Sequence, residues 1–105
     1  MTGEKAGEDR LAVLRSRFLE RSRQDRAHLE RALAAFAEGD DSELDEMHRV
    51  GHVLAGMAGT FGYDQVSVAA DAFETALLDP AADRKVTLAA GRNLLTELEA
   101  ISGDH

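Results

Sequence analysis

Residues 48–62, with the sequence HRVGHVLAGMAGTFG, combine an apolar stripe with a histidine that glycines flank. Each glycine inside a helix costs about 1 kcal/mol relative to alanine, and this segment carries several. A helix that tolerates this cost is expected to need open space beside His52. The functional interpretation of the chain therefore begins at His52.

The apolar residues of this helix and His52 point in opposite directions. Each residue of an α-helix turns the side-chain direction by about 100°. Relative to His52, three apolar residues lie about 160–200° away: Val50, Leu54 and Phe61. The sequence therefore predicts that these residues face the core and that His52 faces solvent.

The outward face of the helix holds the candidate site. About 40° or less from His52 lie Asp45, His48, Gly56 and Gly59, and about 60° to either side lie Arg49 and Ala55. Gly56 and Gly59 follow His52 by about one and two turns, so a partner's backbone or acidic loop can approach the imidazole closely there. Gly51 instead lies toward the bundle, where it suits tight packing of a neighbouring helix.

The remaining chain predicts an all-α fold. Helical spacing of apolar residues marks four segments, at about 8–38, 40–61, 65–78 and 80–101. Their connections are short, which favours an antiparallel up-down four-helix bundle. We expect residues 1–7 to be a flexible leader, residues 8–102 a single domain and residues 103–105 a frayed tail.

Local signals set the expected helix ends. Gly39 is expected to end the first helix in a left-handed cap, and Gly62 to end the second. Asp40 with Glu43 resembles a capping box, with Asp41 as the alternative cap. Asp64 is expected to cap the third helix, and Asp79 to cap the fourth with Pro80 at its first position.

The first and last helices carry the longest apolar stripes. Ser22 and Asp25 interrupt the first stripe, so its N-terminal half is expected to project beyond the core or to bend. The expected core residues of these two helices are Leu11, Leu14, Phe18, Leu29, Leu33 and Phe36 in the first, and Val86, Leu88, Leu94, Leu95, Leu98 and Ile101 in the last.

Composition narrows the class of protein. The chain has 105 residues, 44% of them hydrophobic, and it lacks cysteine, which excludes disulfides and thiolate metal sites. The net charge of −8 argues against binding to nucleic acid or anionic membranes. No apolar run suits a signal peptide or a membrane span. We therefore expect a cytoplasmic protein.

Basic residues concentrate in the first third of the chain. They alternate with acidic residues there, a pattern typical of a solvated helix face with local ion pairs. A docking surface for an acidic partner is the alternative interpretation. The residues are Arg10, Arg15, Arg17, Arg21, Arg23, Arg26 and Arg31.

A lone exposed histidine suits one kind of chemistry. Its imidazole is substantially neutral at physiological pH, and a neutral ring nitrogen is a competent nucleophile. The sequence places no catalytic serine or cysteine beside it. These residues point to transient covalent carriage of a group, most plausibly a phosphoryl group.

The pattern His52-x-Leu54-x-Gly56, followed by Gly62 and a downstream Phe73-Glu74 pair, resembles the histidine-containing phosphotransfer (HPt) domain of bacterial phosphorelays. The resemblance implies an HPt-like four-helix bundle in which His52 accepts phosphate from the aspartate of one receiver domain and passes it to another. It implies receiver domains and a hybrid histidine kinase as partners, and a monomeric carrier without kinase activity. It also implies no cofactor on this chain, because Mg²⁺ belongs to the receiver.

The chain departs from the family pattern at two positions. Ala55 stands where many members have lysine, a cation near the incoming phosphoryl group. Arg49 is our hypothesis for a substitute charge. His48 is a second histidine on the same face, and we expect it to have a docking or supporting role.

Two other functions fit part of the pattern. A degenerate bundle with the same surface would dock on a receiver or kinase without carrying phosphate. His48 and His52, four residues apart, would bind a metal together with Asp45, although the neighbouring cation Arg49 disfavours a metal ion there.

Overall fold

The structure, a computed structural model, describes residues 2–102, with side chains from residue 9 onward. This part of the chain contains four helices and no strand: α1 (Thr2–Ala37), α2 (Leu44–Thr60), α3 (Asp64–Leu78) and α4 (Arg84–Ser102). The helices pack as the pairs α1–α2, α2–α3, α3–α4 and α1–α4. Each helix thus contacts two others, which closes a four-helix bundle and confirms the predicted fold.

Helix α1 is longer than the sequence predicts. It begins at Thr2 rather than near Glu8, so residues 2–7 continue the helix where a flexible leader was expected. Glu, Lys and Ala at positions 4–6 are strong helix formers, which favours helix in this segment. The tail at 103–105 lies outside the described residues.

The N-terminal part of α1 extends beyond the packed core. Leu11 and Leu14 are 45% and 43% exposed, whereas Phe18 is buried. Ser22 and Asp25 are buried as well, and the Ser22 hydroxyl donates a hydrogen bond of 2.8 Å to the Phe18 carbonyl. The projecting alternative is therefore the one observed, and Leu11 and Leu14 are not core residues.

Two helix ends match the glycine signals. Gly39, two residues after the end of α1, has φ +90°, and Gly62, two residues after the end of α2, has φ +84°. At the second end, the amide of Tyr63 donates to the carbonyl of Ala58 at 2.9 Å, closing the last turn. Both predicted C-terminal signals are confirmed.

The predicted N-terminal caps are wrong. Helix α2 begins at Leu44 and no side chain caps it, while Asp64 lies inside the first turn of α3. The Asp40 carboxylate instead accepts the amide of Ser42 at 2.9 Å, and hydrogen bonds from Ser42 lower the pKa of Asp40. Aspartate can bind its own loop in this way, which competes with capping a helix.

Helix α4 begins later than predicted. Asp79 accepts the amide of Ala81 at 2.9 Å, so Asp79 and Pro80 belong to a turn, and the helix starts at Arg84. Asp83 then accepts the amide of Lys85 at 3.0 Å at the true helix start. Val86, an expected core residue, is exposed.

Small residues let the helices approach closely around Phe73. An added Cβ on Gly51 of α2 would lie 3.4 Å from the Phe73 ring, and one on Gly91 of α4 would lie 2.6 Å from Leu33 of α1. Gly51 therefore packs toward the bundle, as predicted. No helix among the described residues is long and apolar enough to cross a membrane.

Candidate functional site

Helix α2 presents His52 to solvent, with the imidazole side chain 72% exposed. Val50 and Leu54 on the opposite face are buried, and Phe61 is half-buried against the core. Its ring centroid lies 5.3 Å from that of Phe18 in α1. The geometry predicted from helical rotation is confirmed.

The glycines beside His52 differ in their surroundings. An added Cβ on Gly56 would meet nothing within 4 Å, whereas one on Gly59 would lie 3.5 Å from the Ser67 hydroxyl of α3. That hydroxyl donates a hydrogen bond of 2.7 Å to the Ala55 carbonyl. The open space expected near His52 is therefore at Gly56, while Gly59 is exposed but backs onto α3.

Glu74 of α3 contacts the imidazole of His52. Its Oε2 lies 2.7 Å from His52 Nδ1, and its side chain is only 17% exposed. The close approach of α3 at Gly51 brings it there, since an added Cβ on Gly51 would lie 3.7 Å from Glu74 Cβ. Glu74 belongs to the Phe73-Glu74 pair of the sequence motif, but the sequence alone did not predict that it contacts His52.

This contact defines which ring nitrogen can react. A carboxylate only accepts hydrogen bonds. His52 Nδ1 therefore carries a proton and donates a hydrogen bond to Glu74. In the neutral ring, Nε2 then holds a free lone pair. The site therefore presents a nucleophilic nitrogen on an exposed side chain, next to the opening at Gly56.

His48 lies against the same carboxylate. Its Nε2 is 3.1 Å from Glu74 Oε2, and its ring stacks on that of His52 with centroids 6.1 Å apart and 21° between the planes. The two histidines and Glu74 thus form one contact cluster, which we call the His48–Glu74–His52 cluster. Asp45 is exposed and has no ion pair within the described part of the chain.

Arg49 faces away from this cluster, toward α1. Its guanidinium hydrogen bonds to Glu46, with Nε at 2.8 Å, and lies 3.7 Å from the buried carboxylate of Asp25. The hydrogen bond to Glu46 raises the pKa of Arg49, and the same bond lowers the pKa of Glu46. The role of Arg49 toward a phosphoryl group therefore stays a prediction.

The metal-binding alternative gains no support from the described side chains. Among residues 9–102, no group of three or more His, Cys, Asp or Glu side chains is arranged to hold a metal ion. In the His48–Glu74–His52 cluster, one carboxylate oxygen already lies against a nitrogen of each ring.

An apolar groove of about 240 Å³ lies between α1 and α2, on the side of α2 that Arg49 faces. Met57, two residues before Gly59 and 45% exposed, forms one wall. The groove has basic and acidic groups at its edges as well as apolar walls. Its lining residues are Leu14, Arg17, Phe18, Arg21, Asp25, Val53, Leu54, Met57 and Phe61.

Some arginines of α1 form local ion pairs, and others are exposed without one. Arg21 pairs with Asp25 at 3.4 Å and Arg23 with Glu20 at 3.2 Å, which confirms local ion pairs for these residues. Arg17 and Arg31 are exposed and have no ion pair with any described side chain. Part of the basic surface is therefore available to a partner.

The chain matches the model of a known protein family. A family model described as "Hpt domain" matches residues 13–104, nearly the whole chain. The matched region includes both histidines of α2 and Glu74 of α3, so the similarity covers the site as well as the bundle. Searches of curated proteins and of solved structures found no match.

Proposed function

Since the chain belongs to the Hpt domain family, whose members carry phosphoryl groups in two-component systems, we propose that His52 is its phosphoacceptor. The carrier takes the group from the aspartyl phosphate of one receiver domain and passes it to the aspartate of another. One observation carries the assignment: His52 is exposed, and Glu74 engages its Nδ1 while Nε2 stays free.

The transfer follows from this arrangement. The lone pair of His52 Nε2 forms the new N–P bond, and the bond between phosphorus and the receiver's aspartyl oxygen breaks. The receiver's carboxylate leaves with the bonding electrons, and the Nδ1 proton remains between His52 and Glu74. The phosphorylated ring carries positive charge, which the Glu74 carboxylate stabilises at hydrogen-bond distance.

Receiver domains and a hybrid histidine kinase are the proposed partners. Hpt domains interact with proteins of these classes, and the acidic receiver site would supply Mg²⁺, so this chain is proposed to need no cofactor. The groove between α1 and α2 and the open side of His52 at Gly56 support a docking surface here. We further propose that the protein acts as a cytoplasmic monomer.

Labelling with phosphate tests the proposed function. Wild type, His52→Gln and His48→Gln are each incubated with a panel of phosphorylated receiver domains, and separately with phosphoramidate, a small donor that needs no docking. We expect acid-labile, alkali-stable label on wild type and on His48→Gln, and none on His52→Gln.

The outcomes separate the carrier from its alternatives. Label that persists in His52→Gln and disappears in His48→Gln would move the acceptor to His48. Receiver binding without label in wild type, from either donor, would identify a docking module and overturn the carrier.

A further inference from the structure

We propose that His48 is a positioning residue that holds Glu74 in place and so keeps the proton of His52 on Nδ1. The expected effect on phosphotransfer rests on the proposed function. The expected effect on the tautomer of His52 does not depend on any phosphoryl donor. It assigns to the second histidine a role in preparing the nucleophile rather than in carrying phosphate.

The geometry places both rings on one carboxylate oxygen. His48 and His52 are four residues apart, so they lie one above the other on the same face of α2. Glu74 Oε2 is 3.1 Å from His48 Nε2 and 2.7 Å from His52 Nδ1. A single oxygen of α3 thus joins two side chains of α2.

The protonation of His48 follows from its surroundings. The His48 Nε2 atom is buried and lies off the line of a regular hydrogen bond, yet a carboxylate oxygen is 3.1 Å away. At this distance the carboxylate is attracted to an N–H group and repelled by a nitrogen lone pair, even when the oxygen lies off the hydrogen-bond direction. The proposal therefore places a proton on His48 Nε2, which is held to Oε2 by electrostatic attraction.

This attraction matters because Glu74 has a long side chain. A glutamate loses much rotational freedom when it is fixed, so one exposed partner is a weak restraint. His52 is that exposed partner, whereas His48 Nε2 is buried beneath the surface. His48 therefore anchors the carboxylate from the less exposed side and leaves it aimed at His52.

Loss of the anchor would alter His52 itself. The hydrogen bond at one ring nitrogen sets which nitrogen carries the proton. In water, neutral histidine prefers the proton on Nε2, and that tautomer has no lone pair at the exposed nitrogen. If Glu74 turns away, His52 shifts toward the unreactive tautomer.

The test compares two variants of His48. His48→Leu removes the N–H group that faces Glu74, whereas His48→Gln places an amide N–H at a similar position. The ¹⁵N NMR shifts of the His52 ring report its tautomer without any phosphoryl donor. We expect the Nδ1–H form to dominate in wild type and His48→Gln, and to lose population in His48→Leu. Phosphoramidate labelling of His48→Leu should fall about two- to tenfold, equivalent to about 0.4–1.4 kcal/mol.

Controls keep the structural and functional outcomes apart. His28→Leu removes a histidine of α1 outside the cluster and should leave the His52 spectrum unchanged. Circular dichroism checks folding, and His48→Ala replaces His48→Leu if the leucine variant does not fold. If the tautomer of His52 is unchanged in His48→Leu or His48→Ala, the inference is overturned. Absence of label on His52 in wild type overturns only the proposed function.

Discussion

At the residue scale, Gly56 combines a cost in helix stability with open space beside the nucleophile. An added Cβ there would contact no heavy atom within 4 Å, so packing does not explain the glycine. Glycine is less favourable than alanine inside a helix, and nothing in the bundle offsets this cost. The absence of a side chain fits the proposed approach of a partner to His52.

Two substitutions at Gly56 should separate stability from transfer. Gly56→Ala is expected to raise the free energy of unfolding by about 0.5–1 kcal/mol, measured by urea denaturation. Gly56→Leu should slow transfer from a receiver by about tenfold, equivalent to about 1.4 kcal/mol, because its side chain fills the approach to His52. Labelling by phosphoramidate, which needs little space, should change less than about twofold by the same scale.

Ala89→Leu is the matched control, since it introduces the same leucine side chain at an exposed position of α4. A Gly56→Leu protein that accepts phosphate from receivers as fast as wild type would show that the open space has no role in docking.

The sequence predicted the exposure of His52 but not its partner. Rotation along one helix is enough to separate His52 from Leu54, because both positions depend on a single helical axis. Glu74 lies 22 residues away on another helix, and its contact depends on how closely α3 packs at Gly51. The sequence could not predict the direction of Arg49 either, because a long side chain at the edge of a helix face can reach the helix on either side.

At the element scale, α4 is held against two helices at Gly91. An added Cβ there would lie 2.6 and 2.9 Å from the two Leu33 methyl carbons and 3.0 Å from the Phe73 ring. Both neighbours are buried, so they have little room to move. This glycine, unlike Gly56, is required by packing.

Gly91→Ala should therefore destabilise the bundle although alanine is the better helix former. We expect the free energy of unfolding to fall by about 1–3 kcal/mol from overpacking, with the loss visible as a lower urea midpoint. Leu33→Val in the same background should restore part of the stability by making room for the new methyl group. An alanine variant as stable as wild type would contradict the close contact of α4 with α1 and α3.

The sequence predicted the existence of the helices more accurately than their first and last residues. Apolar periodicity located all four helices, because each must bury one face whatever its ends do. The caps predicted at Asp40 and Asp79 are wrong because each carboxylate accepts an amide two residues onward in a loop, whereas Asp83, which was not predicted, makes the same bond at a helix start. Choosing among neighbouring aspartates depends on loop geometry that spacing does not encode.

At the scale of the whole molecule, charge divides the protein into two regions. Seven of its twelve Lys and Arg residues lie between Arg10 and Arg31 on α1, although the chain has a net charge of −8. The projecting half of α1 carries part of this basic surface along the groove beside α2. Arg17 lines that groove and has no ion pair with any described side chain. This basic surface lies along the side of α2 that faces away from the His48–Glu74–His52 cluster, and it suits a partner that presents acidic groups.

Reversing this charge should weaken docking without affecting the nucleophile. Arg17→Glu is expected to slow phosphotransfer from a receiver by about three- to tenfold at low salt, because complementary charges mainly raise association rates. The difference from wild type should shrink as ionic strength rises and screens the interaction. Phosphoramidate labelling should stay unchanged, since it involves no docking.

Arg31→Glu makes the same charge change on α1 outside the groove and should leave transfer near the wild-type rate. Equal effects of the two substitutions would mean that net charge, and not the groove between α1 and α2, controls the encounter.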